Sequence, residues 1–265
     1  MSQFNKYRSI YSHEELMAKL RRLKHVALDM DGTIYMGATL FPYTKPFLAG
    51  VKDLGLRYSF LTNNPSSSIA DYLAKLARLG VAATEEEMYT TALATVDYIK
   101  THYPEAKRLF MLGTPSMITE FEKAGFESAT DSADDRPDVL VVAFDKTLAY
   151  DRLCRAAWWI SQGVPYIATN PDRGCPTEFG LVPDCFAMCE AINYATNRRP
   201  LYIGKPDGFM IEFSVERSPF SKEETVVIGD RLYTDIASGV NAGVDTICVL
   251  SGESTQEDID NSEIK

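Results

Sequence analysis

Short apolar runs alternate with helix-like patterns along most of this 265-residue chain. The strand-like runs lie at residues 26–28, 58–62, 109–112, 139–144, 166–169, 201–203, 225–228 and 246–250. Apolar residues at helical spacing fill most of the intervals between these runs. Alternation of this kind is typical of βαβ units, so we expect an α/β fold built on a doubly wound parallel sheet.

The first predicted helix precedes the first strand. Ser12 and Glu15 have the spacing of a capping box, and Leu16 and Leu20 follow at helical spacing. We therefore expect an amphipathic helix that packs its apolar side on the core. A later change in pattern begins near residue 84, and the Pro- and Gly-rich stretch 171–183 is the best candidate for a boundary.

Composition excludes several function classes. The net charge of −10 argues against nucleic-acid partners and against anionic membrane surfaces, because both favour basic patches. No stretch approaches the roughly 18 apolar residues of a membrane helix. The first residues are polar and lack the apolar segment of a signal peptide. We expect a cytoplasmic protein with no membrane partner.

The five cysteines are odd in number and irregular in spacing, which argues against a disulfide framework. Cys185 and Cys189 are four residues apart on a predicted helix, and Cys175 is nearby. A zinc site is conceivable there, but no histidine is close. Reduced, buried thiols are the preferred interpretation.

The chemically most informative residues follow the first strand. Asp29 and Asp31 end an apolar run and lead into Gly32. Ligands bind at the carboxyl ends of strands in open parallel sheets. Two neighbouring carboxylates repel each other, so either a divalent cation such as Mg²⁺ or a proton held on one acid must compensate. The alternative is a solvated turn with no function.

Three further predicted strands end in polar residues. Thr62 and Asn63 close one strand, Lys205 follows another after Gly204, and Asp230 follows a third after Gly229, with Asp235 five positions later. Each residue alone has an ordinary structural explanation, such as a helix cap or a surface lysine. Because parallel strand ends meet at one edge, we expect these side chains to share one crevice.

Together these motifs resemble the haloacid dehalogenase superfamily, and most closely its NagD-like, 4-nitrophenylphosphatase-like branch. The four matching motifs are residues 29–33, 60–64, 204–206 and 229–235. The resemblance implies a Rossmann-like core with an inserted α/β cap. Residues 1–83, with the N-terminal helix, would begin the core, 84–183 would form the cap, and 184–265 would complete the core. We expect this cap to pack independently and to move relative to the core.

The resemblance also implies roles for individual residues. Asp29 would be the nucleophile that forms an aspartyl-phosphate, and Asp31 the general acid and base. Lys205 would balance negative charge at the reacting phosphoryl group. The Mg²⁺ ligands would be Asp29, the backbone carbonyl of Asp31 and Asp230. Asp235 would orient Lys205 or a metal-bound water.

Substrate contacts are assigned in the same way. The phosphoryl group would meet residues of the first two motifs and Lys205, and the leaving group would meet the cap. The expected substrate-binding residues are Gly32, Thr62, Asn63, Asn64, Asn170, Asp172 and Lys205.

The expected function is a Mg²⁺-dependent phosphatase that hydrolyses small phosphorylated metabolites, with a sugar or polyol phosphate weakly favoured. The alternative is a phosphotransferase or phosphomutase that uses the same aspartyl-phosphate. A silent regulator that binds through the cap is a third class, with little support because the catalytic side chains are present. The resemblance also allows a homodimer formed through the cap.

Overall fold

The computed structural model describes residues 8–177 and 180–264. In this part of the chain the strands are β1 (His25–Asp29), β2 (Tyr35–Met36), β3 (Thr39–Leu40), β4 (Arg57–Thr62), β5 (Met88–Thr90), β6 (Arg108–Leu112), β7 (Glu127–Ser128), β8 (Val139–Val142), β9 (Tyr166–Ala168), β10 (Gly174–Thr177), β11 (Gly180–Pro183), β12 (Leu201–Tyr202), β13 (Thr225–Gly229) and β14 (Asp245–Cys248). The helices are α1 (His13–Arg22), α2 (Thr44–Asp53), α3 (Ile69–Arg78), α4 (Thr91–His102), α5 (Pro115–Lys123), α6 (Tyr150–Ser161), α7 (Cys185–Thr196), α8 (Phe209–Glu216), α9 (Ala237–Ala242) and α10 (Gln256–Asn261).

The first sheet has the strand order β14-β13-β1-β4-β5, and all its pairings are parallel. Strand β1 lies in the centre, where Val26, Ala27 and Leu28 are all buried. A strand covered on both faces needs apolar residues at consecutive positions, which explains the continuous apolar run in the sequence.

The second sheet has the order β12-β9-β8-β6-β7 and is also parallel throughout. Its central strand β8 is fully buried. Helices α6 and α7 supply the apolar residues on one face, and α4 and α5 supply those on the other. The predicted α/β class with parallel, helix-covered sheets is confirmed.

The predicted boundaries at residues 84 and 183 are wrong for two strands. Strand β5 joins the first sheet, because Phe60 pairs with Met88. Strand β12 joins the second sheet, because Leu201 pairs with Ile167. The Pro- and Gly-rich stretch predicted as a boundary instead forms the antiparallel hairpin β10–β11. Pairing partners lie far away in sequence, so local patterns do not reveal which sheet a short strand joins.

The units built on the two sheets are in apolar contact with each other. One apolar cluster contains Ala27 and Val227 of the first sheet together with Val139 and Ile167 of the second. Helix α4 connects them, because it packs on both α5 and α8. Residues of both sheets thus share one apolar cluster, and independent packing and motion of the cap stay predictions.

The predicted N-terminal helix is present in the structure. Helix α1 begins at the predicted capping box, where the Ser12 backbone N–H donates to Glu15 at 2.9 Å. After β13, a π-helical turn (Leu232–Ile236) leads directly into α9. Within the described residues, no helix combines the length and the apolar character needed to span a bilayer.

Candidate active site

The polar residues at the carboxyl ends of three neighbouring strands form the site. Strand β1 ends at Asp29, β4 ends at Thr62, and Asp230 directly follows β13. Strands β4 and β13 both pair with β1, so these ends lie side by side. Lys205 reaches the same place from the second sheet, three residues after β12.

Lys205 is the most deeply buried cation of the site, with 1% of its side chain exposed. Its Nζ donates to Asp29 Oδ1 at 2.7 Å and to Asp235 Oδ1 at 2.7 Å. Burial alone would lower the pKa of Lys205, but the two carboxylates outweigh it and raise the pKa above its usual value. The expectation that Lys205 lies in the same crevice as the strand-end acids is confirmed, although 176 positions separate it from Asp29.

Three carboxylates crowd around this ammonium group. Oxygen atoms of Asp29, Asp230 and Asp235 all lie within 4.8 Å of one another. Burial, followed by the charge of Asp235, raises the pKa of Asp29, and Lys205 opposes that shift. Burial also raises the pKa of Asp230. One ammonium cannot balance three carboxylates, so the site has an unmet demand for positive charge.

Hydrogen bonds distinguish the three acids. Both oxygens of Asp235 are occupied, Oδ1 by Lys205 and Oδ2 by the Arg231 backbone N–H at 3.0 Å. Asp29 Oδ1 accepts from Lys205, and Oδ2 accepts from the Thr33 hydroxyl at 3.2 Å. Asp230 Oδ1 is buried and has no protein partner. A buried, unpartnered carboxylate oxygen among other acids suits a hard divalent cation, so the donor set fits Mg²⁺.

Gly32 shapes the space beside this free oxygen. A Cβ at Gly32 would lie 2.6 Å from Asp230 Cγ, and its φ of +93° favours glycine as well. Its backbone N–H donates to the Tyr35 carbonyl at 2.8 Å. With that N–H occupied, the contribution of Gly32 is to let the first motif approach Asp230.

The Asp31 carboxylate lies outside the acid cluster. Its side chain is 57% exposed, and the nearest cation is Lys75 Nζ at 4.0 Å. Lys75 also lies 3.9 Å from the centre of the Tyr35 ring. An exposed carboxylate at this position can exchange protons with a leaving group and with water.

The residues after β4 form a tight polar turn. The Thr62 hydroxyl accepts from the Asn64 N–H at 3.3 Å and lies 3.4 Å from the Tyr72 hydroxyl. Asn64 Oδ1 accepts from the Ser66 N–H at 2.9 Å. Thr62 is buried at the strand end next to that of Asp29, whereas the Asn64 side chain stabilises the turn itself.

The predicted contacts from the second sheet have other partners. Asp172 Oδ2 accepts from Asn63 Nδ2 at 2.6 Å and from Asn170 Nδ2 at 2.7 Å. Asn170 is only 1% exposed, and its Oδ1 accepts from the Thr169 hydroxyl at 2.8 Å. Protein groups occupy the Asn170 amide, and its side chain holds Asp172 in place. Substrate contacts of Asn170 and Asp172 stay a prediction. The Asn63 side chain likewise links the two sheets.

Sequence reasoning missed two groups of residues at this site. Thr33, quoted in the first motif but given no role, donates to Asp29. Residues 251–254, beyond the last strand, contact Asp230 and Gly32. The strand-end rule that found Asp29 and Asp230 could have indicated this loop too, because it follows β14 of the same sheet.

Within the described residues, the three cysteines considered for zinc do not form a cluster of metal-ligating atoms. Cys185 and Cys189 are buried free thiols. Across residues 8–177 and 180–264, the one group of three or more metal-ligating side chains is Asp29, Asp230 and Asp235.

Comparison with known protein families decides the identity. Residues 26–127 match the model of the haloacid dehalogenase-like hydrolases, and residues 202–265 match a second HAD-hydrolase-like model. The chain belongs to the haloacid dehalogenase-like hydrolases. The two matched segments contain all four motifs, and strands β8 and β9 of the second sheet lie between them.

Relatives of this hydrolase are phosphatases. Ribonucleotide monophosphatase NagD of Escherichia coli is 36% identical over 239 residues, which cover 90% of this chain and 92% of NagD. The crystal structure of 4-nitrophenylphosphatase from Thermotoga maritima superposes with a TM-score of 0.87 at 38% identity, covering 93% of both chains. The chain is therefore a phosphoric monoester hydrolase of the haloacid dehalogenase type.

One structural relative was solved with metal. The glycerol phosphate phosphatase of Mycobacterium tuberculosis, in complex with magnesium, has a TM-score of 0.85 at 30% identity, covering 92% of this chain and 73% of that chain. The same phosphatase was also solved in complex with calcium. Divalent cations thus bind to a close structural relative of this hydrolase.

Proposed function

We propose that this hydrolase is a Mg²⁺-dependent phosphatase that cleaves small sugar or polyol phosphates through an aspartyl-phosphate on Asp29. The observation that carries the proposal is the buried Lys205 ammonium, bonded at once to Asp29 and Asp235. This ion pair fixes the direction of the Asp29 carboxylate and keeps a positive charge beside it. A nucleophile needs that fixed orientation, and the transition state needs that charge.

In the first half-reaction, an Asp29 carboxylate oxygen attacks phosphorus. The bond between phosphorus and the leaving-group oxygen breaks, and that oxygen takes a proton from Asp31. The Thr33 hydroxyl and Lys205 hold the attacking carboxylate. The exposed position of Asp31 suits its role, because its carboxylate must reach a leaving group that enters from solvent.

In the second half-reaction, Asp31 accepts a proton from water, and the water oxygen attacks phosphorus. The bond from phosphorus to the Asp29 oxygen breaks, which releases inorganic phosphate and restores the Asp29 carboxylate. Thr62 and the backbone N–H groups beside Asn63 would contact the phosphoryl oxygens through both steps. One carboxylic acid therefore serves as acid and then as base.

Asp29, Asp230 and the Asp31 carbonyl would hold the cation, and Asp235 would support the site through Lys205. When bound, Mg²⁺ supplies positive charge that neutralises the approach of the phosphate to the carboxylates. The free oxygen of Asp230 supports this assignment.

A small leaving group is favoured by the contact between the sheets. Asn63 Nδ2 donates to Asp172 Oδ2 at 2.6 Å, so the unit of the second sheet closely approaches the turn after β4, where the phosphoryl group would bind. Hydrolysis is favoured over phosphoryl transfer between alcohols, because known mutases carry a helical cap directly after the first motif. Here that interval forms the hairpin β2–β3 and the helix α2. Pairing of two copies through the second unit stays a prediction.

Phosphate release from a panel of phosphorylated metabolites, with and without Mg²⁺, tests the proposal. We expect turnover that depends on Mg²⁺, is abolished by excess EDTA and is fastest on sugar or polyol phosphates. A labelled, acid-stable phosphoryl group should appear on the wild-type protein and be absent from Asp29→Asn. Full turnover in excess EDTA would contradict the proposed metal dependence.

A further inference from the structure

Residues 251–254, here called the positioning loop, follow strand β14 and lie against the acid cluster. The Glu253 backbone N–H donates to Asp230 Oδ2 at 2.7 Å, and the Ser254 N–H donates to the Asp230 carbonyl at 3.2 Å. The Ser251 hydroxyl donates to the Gly32 carbonyl at 2.7 Å. The loop thus contacts both motifs that would supply metal ligands.

The positioning loop bonds one carboxylate oxygen of Asp230 and leaves the other without a protein partner. The loop occupies Oδ2, whereas Oδ1 is buried without a protein partner. A carboxylate held by one oxygen cannot rotate without breaking that hydrogen bond. The loop therefore directs the free oxygen of Asp230 in one orientation.

Gly252 allows this close approach. A Cβ at Gly252 would overlap Asp230 Oδ2 and would lie only 2.5 Å from Asp230 Cγ. Asp230 is short and nearly fully buried, so it cannot avoid such a group without leaving its position. The φ of Gly252 lies outside the left-handed range, so the restriction is one of space rather than of backbone conformation.

Residues 231–233, which directly follow Asp230, also contact the positioning loop. The Tyr233 hydroxyl donates to Glu253 Oε1 at 2.6 Å, and Arg231 Nε lies 2.9 Å from Glu253 Oε2. The Ser254 hydroxyl accepts from the Leu232 backbone N–H at 3.1 Å. The loop and residues 231–233 therefore hold each other, and Asp230 directly precedes those residues in the chain.

We propose that the positioning loop sets the Mg²⁺ affinity of the site by orienting the free oxygen of Asp230. This inference rests on the proposed function, because it needs a cation at the acid cluster. The loop residues are positioning residues and have no contact with the reacting phosphoryl group in the mechanism above. Partners that orient metal ligands typically change affinity by about 10- to 100-fold when they are altered.

Calorimetric titration of the metal-free protein with Mg²⁺ measures the effect directly. Gly252→Ala should raise the Kd for Mg²⁺ by about 10- to 100-fold. Ser251→Ala removes one hydrogen bond to the first motif and should raise it by a smaller factor, about two- to tenfold. Gly50→Ala is the matched control, because a Cβ there meets nothing within 4 Å, and it should bind Mg²⁺ as the wild type does.

Kinetics as a function of Mg²⁺ concentration provides a second measurement. High Mg²⁺ should restore much of the kcat of Gly252→Ala and Ser251→Ala, which a general loss of structure would not permit. If Gly252→Ala does not fold, Ser251→Ala carries the test alone.

The outcomes separate the two proposals. If the wild type itself does not bind Mg²⁺, the proposed function fails. If the wild type binds and both loop variants bind with unchanged Kd, the proposed function stands and the role of the loop is refuted. If Gly50→Ala loses as much affinity as Gly252→Ala, the effect is not local, and the inference is also refuted.

Discussion

The two five-stranded sheets have the same architecture but different chemistry at their strand ends. Both are parallel and covered by helices, so both have the crevice at which α/β proteins bind ligands. The first sheet ends in Asp29 and Asp230, and the second ends near Asp145 and Asn170. The strand-end rule alone does not distinguish these two crevices.

Hydrogen bonds distinguish them. Asp145 Oδ1 accepts from the Thr147 N–H at 2.8 Å and from its hydroxyl at 2.6 Å, and Asn170 is bonded to its neighbours. Asp230 instead keeps an oxygen with no protein partner. An unpartnered carboxylate oxygen that lies among other buried acids suits a cation, and the strand ends of the second sheet carry no such cluster in the described residues.

The difference also explains the role of the second sheet. Its last strand, β12, leads directly to Lys205, which balances the acids of the first sheet. Asp172, which follows β9, contacts Asn63 of the first sheet's turn. The second sheet thus contributes Lys205 and Asp172 to the site at the first sheet. Its own strand ends carry no acid cluster in the described residues.

The largest expected effect on kcat distinguishes Asp29, at the end of the first sheet's central strand, from Asp145, just beyond the end of β8 in the second sheet. Asp29→Asn should lower kcat by about 10⁴-fold or more, because the amide keeps the shape but is not a nucleophile. Asp145→Asn, at the corresponding place in the second sheet, should leave kcat within about threefold of wild type. Steady-state phosphate release measures both. Equal losses in the two variants would show that the sheets are not chemically different.

Asp31→Asn should lower kcat by about 10²- to 10⁴-fold by removing the general acid and base. The loss in the first half-reaction should be smaller for 4-nitrophenyl phosphate than for an alkyl phosphate, because nitrophenolate leaves without a proton. Single-turnover phosphorylation of Asp29 with each substrate measures this. An equal loss on both substrates would argue against Asp31 as the acid.

Lys205→Ala should lower kcat by about 10²- to 10³-fold, a loss typical of removing one charge-stabilising donor. It should also destabilise the fold by about 3–5 kcal/mol, because two buried carboxylates lose their partner. The Kd for Mg²⁺ should change less than kcat does. Lys107→Ala, at an exposed position before β6, is the control for removing one lysine charge.

The smallest expected effect is on the pH dependence of folding stability, and it comes from the amino end of the first sheet. His25 begins β1, and burial lowers its pKa to about 4. The unfolded chain takes up this proton near pH 6.5 but the native state only near pH 4, so stability falls as the pH decreases between these values. The slope is at most about 1.4 kcal/mol per pH unit.

Urea unfolding at several pH values tests this contribution. His25→Gln should have a flatter dependence than wild type between about pH 6.5 and about pH 4. His13→Gln changes an exposed histidine and should keep the wild-type slope. If His25→Gln also keeps that slope, another group controls stability in this range.

Local sequence patterns by themselves determined much of this protein. Apolar runs located eight of the fourteen strands in the described residues, and a capping box located α1. Residues after the apolar runs indicated Asp29, Thr62, Lys205 and Asp230. These features depend on side chains within a few positions of one another, so the sequence contains them directly.

Tertiary structure decided the rest, because it depends on contacts between distant residues. Strand pairing placed β5 and β12 in sheets that their sequences do not indicate. Hydrogen bonding and exposure decided that protein groups occupy the Asn170 amide, that the Asp31 carboxylate is exposed, and that Asp230 keeps a free oxygen. A sequence shows which residues can donate, accept or carry charge, but only the folded chain shows which of these groups remain without a partner.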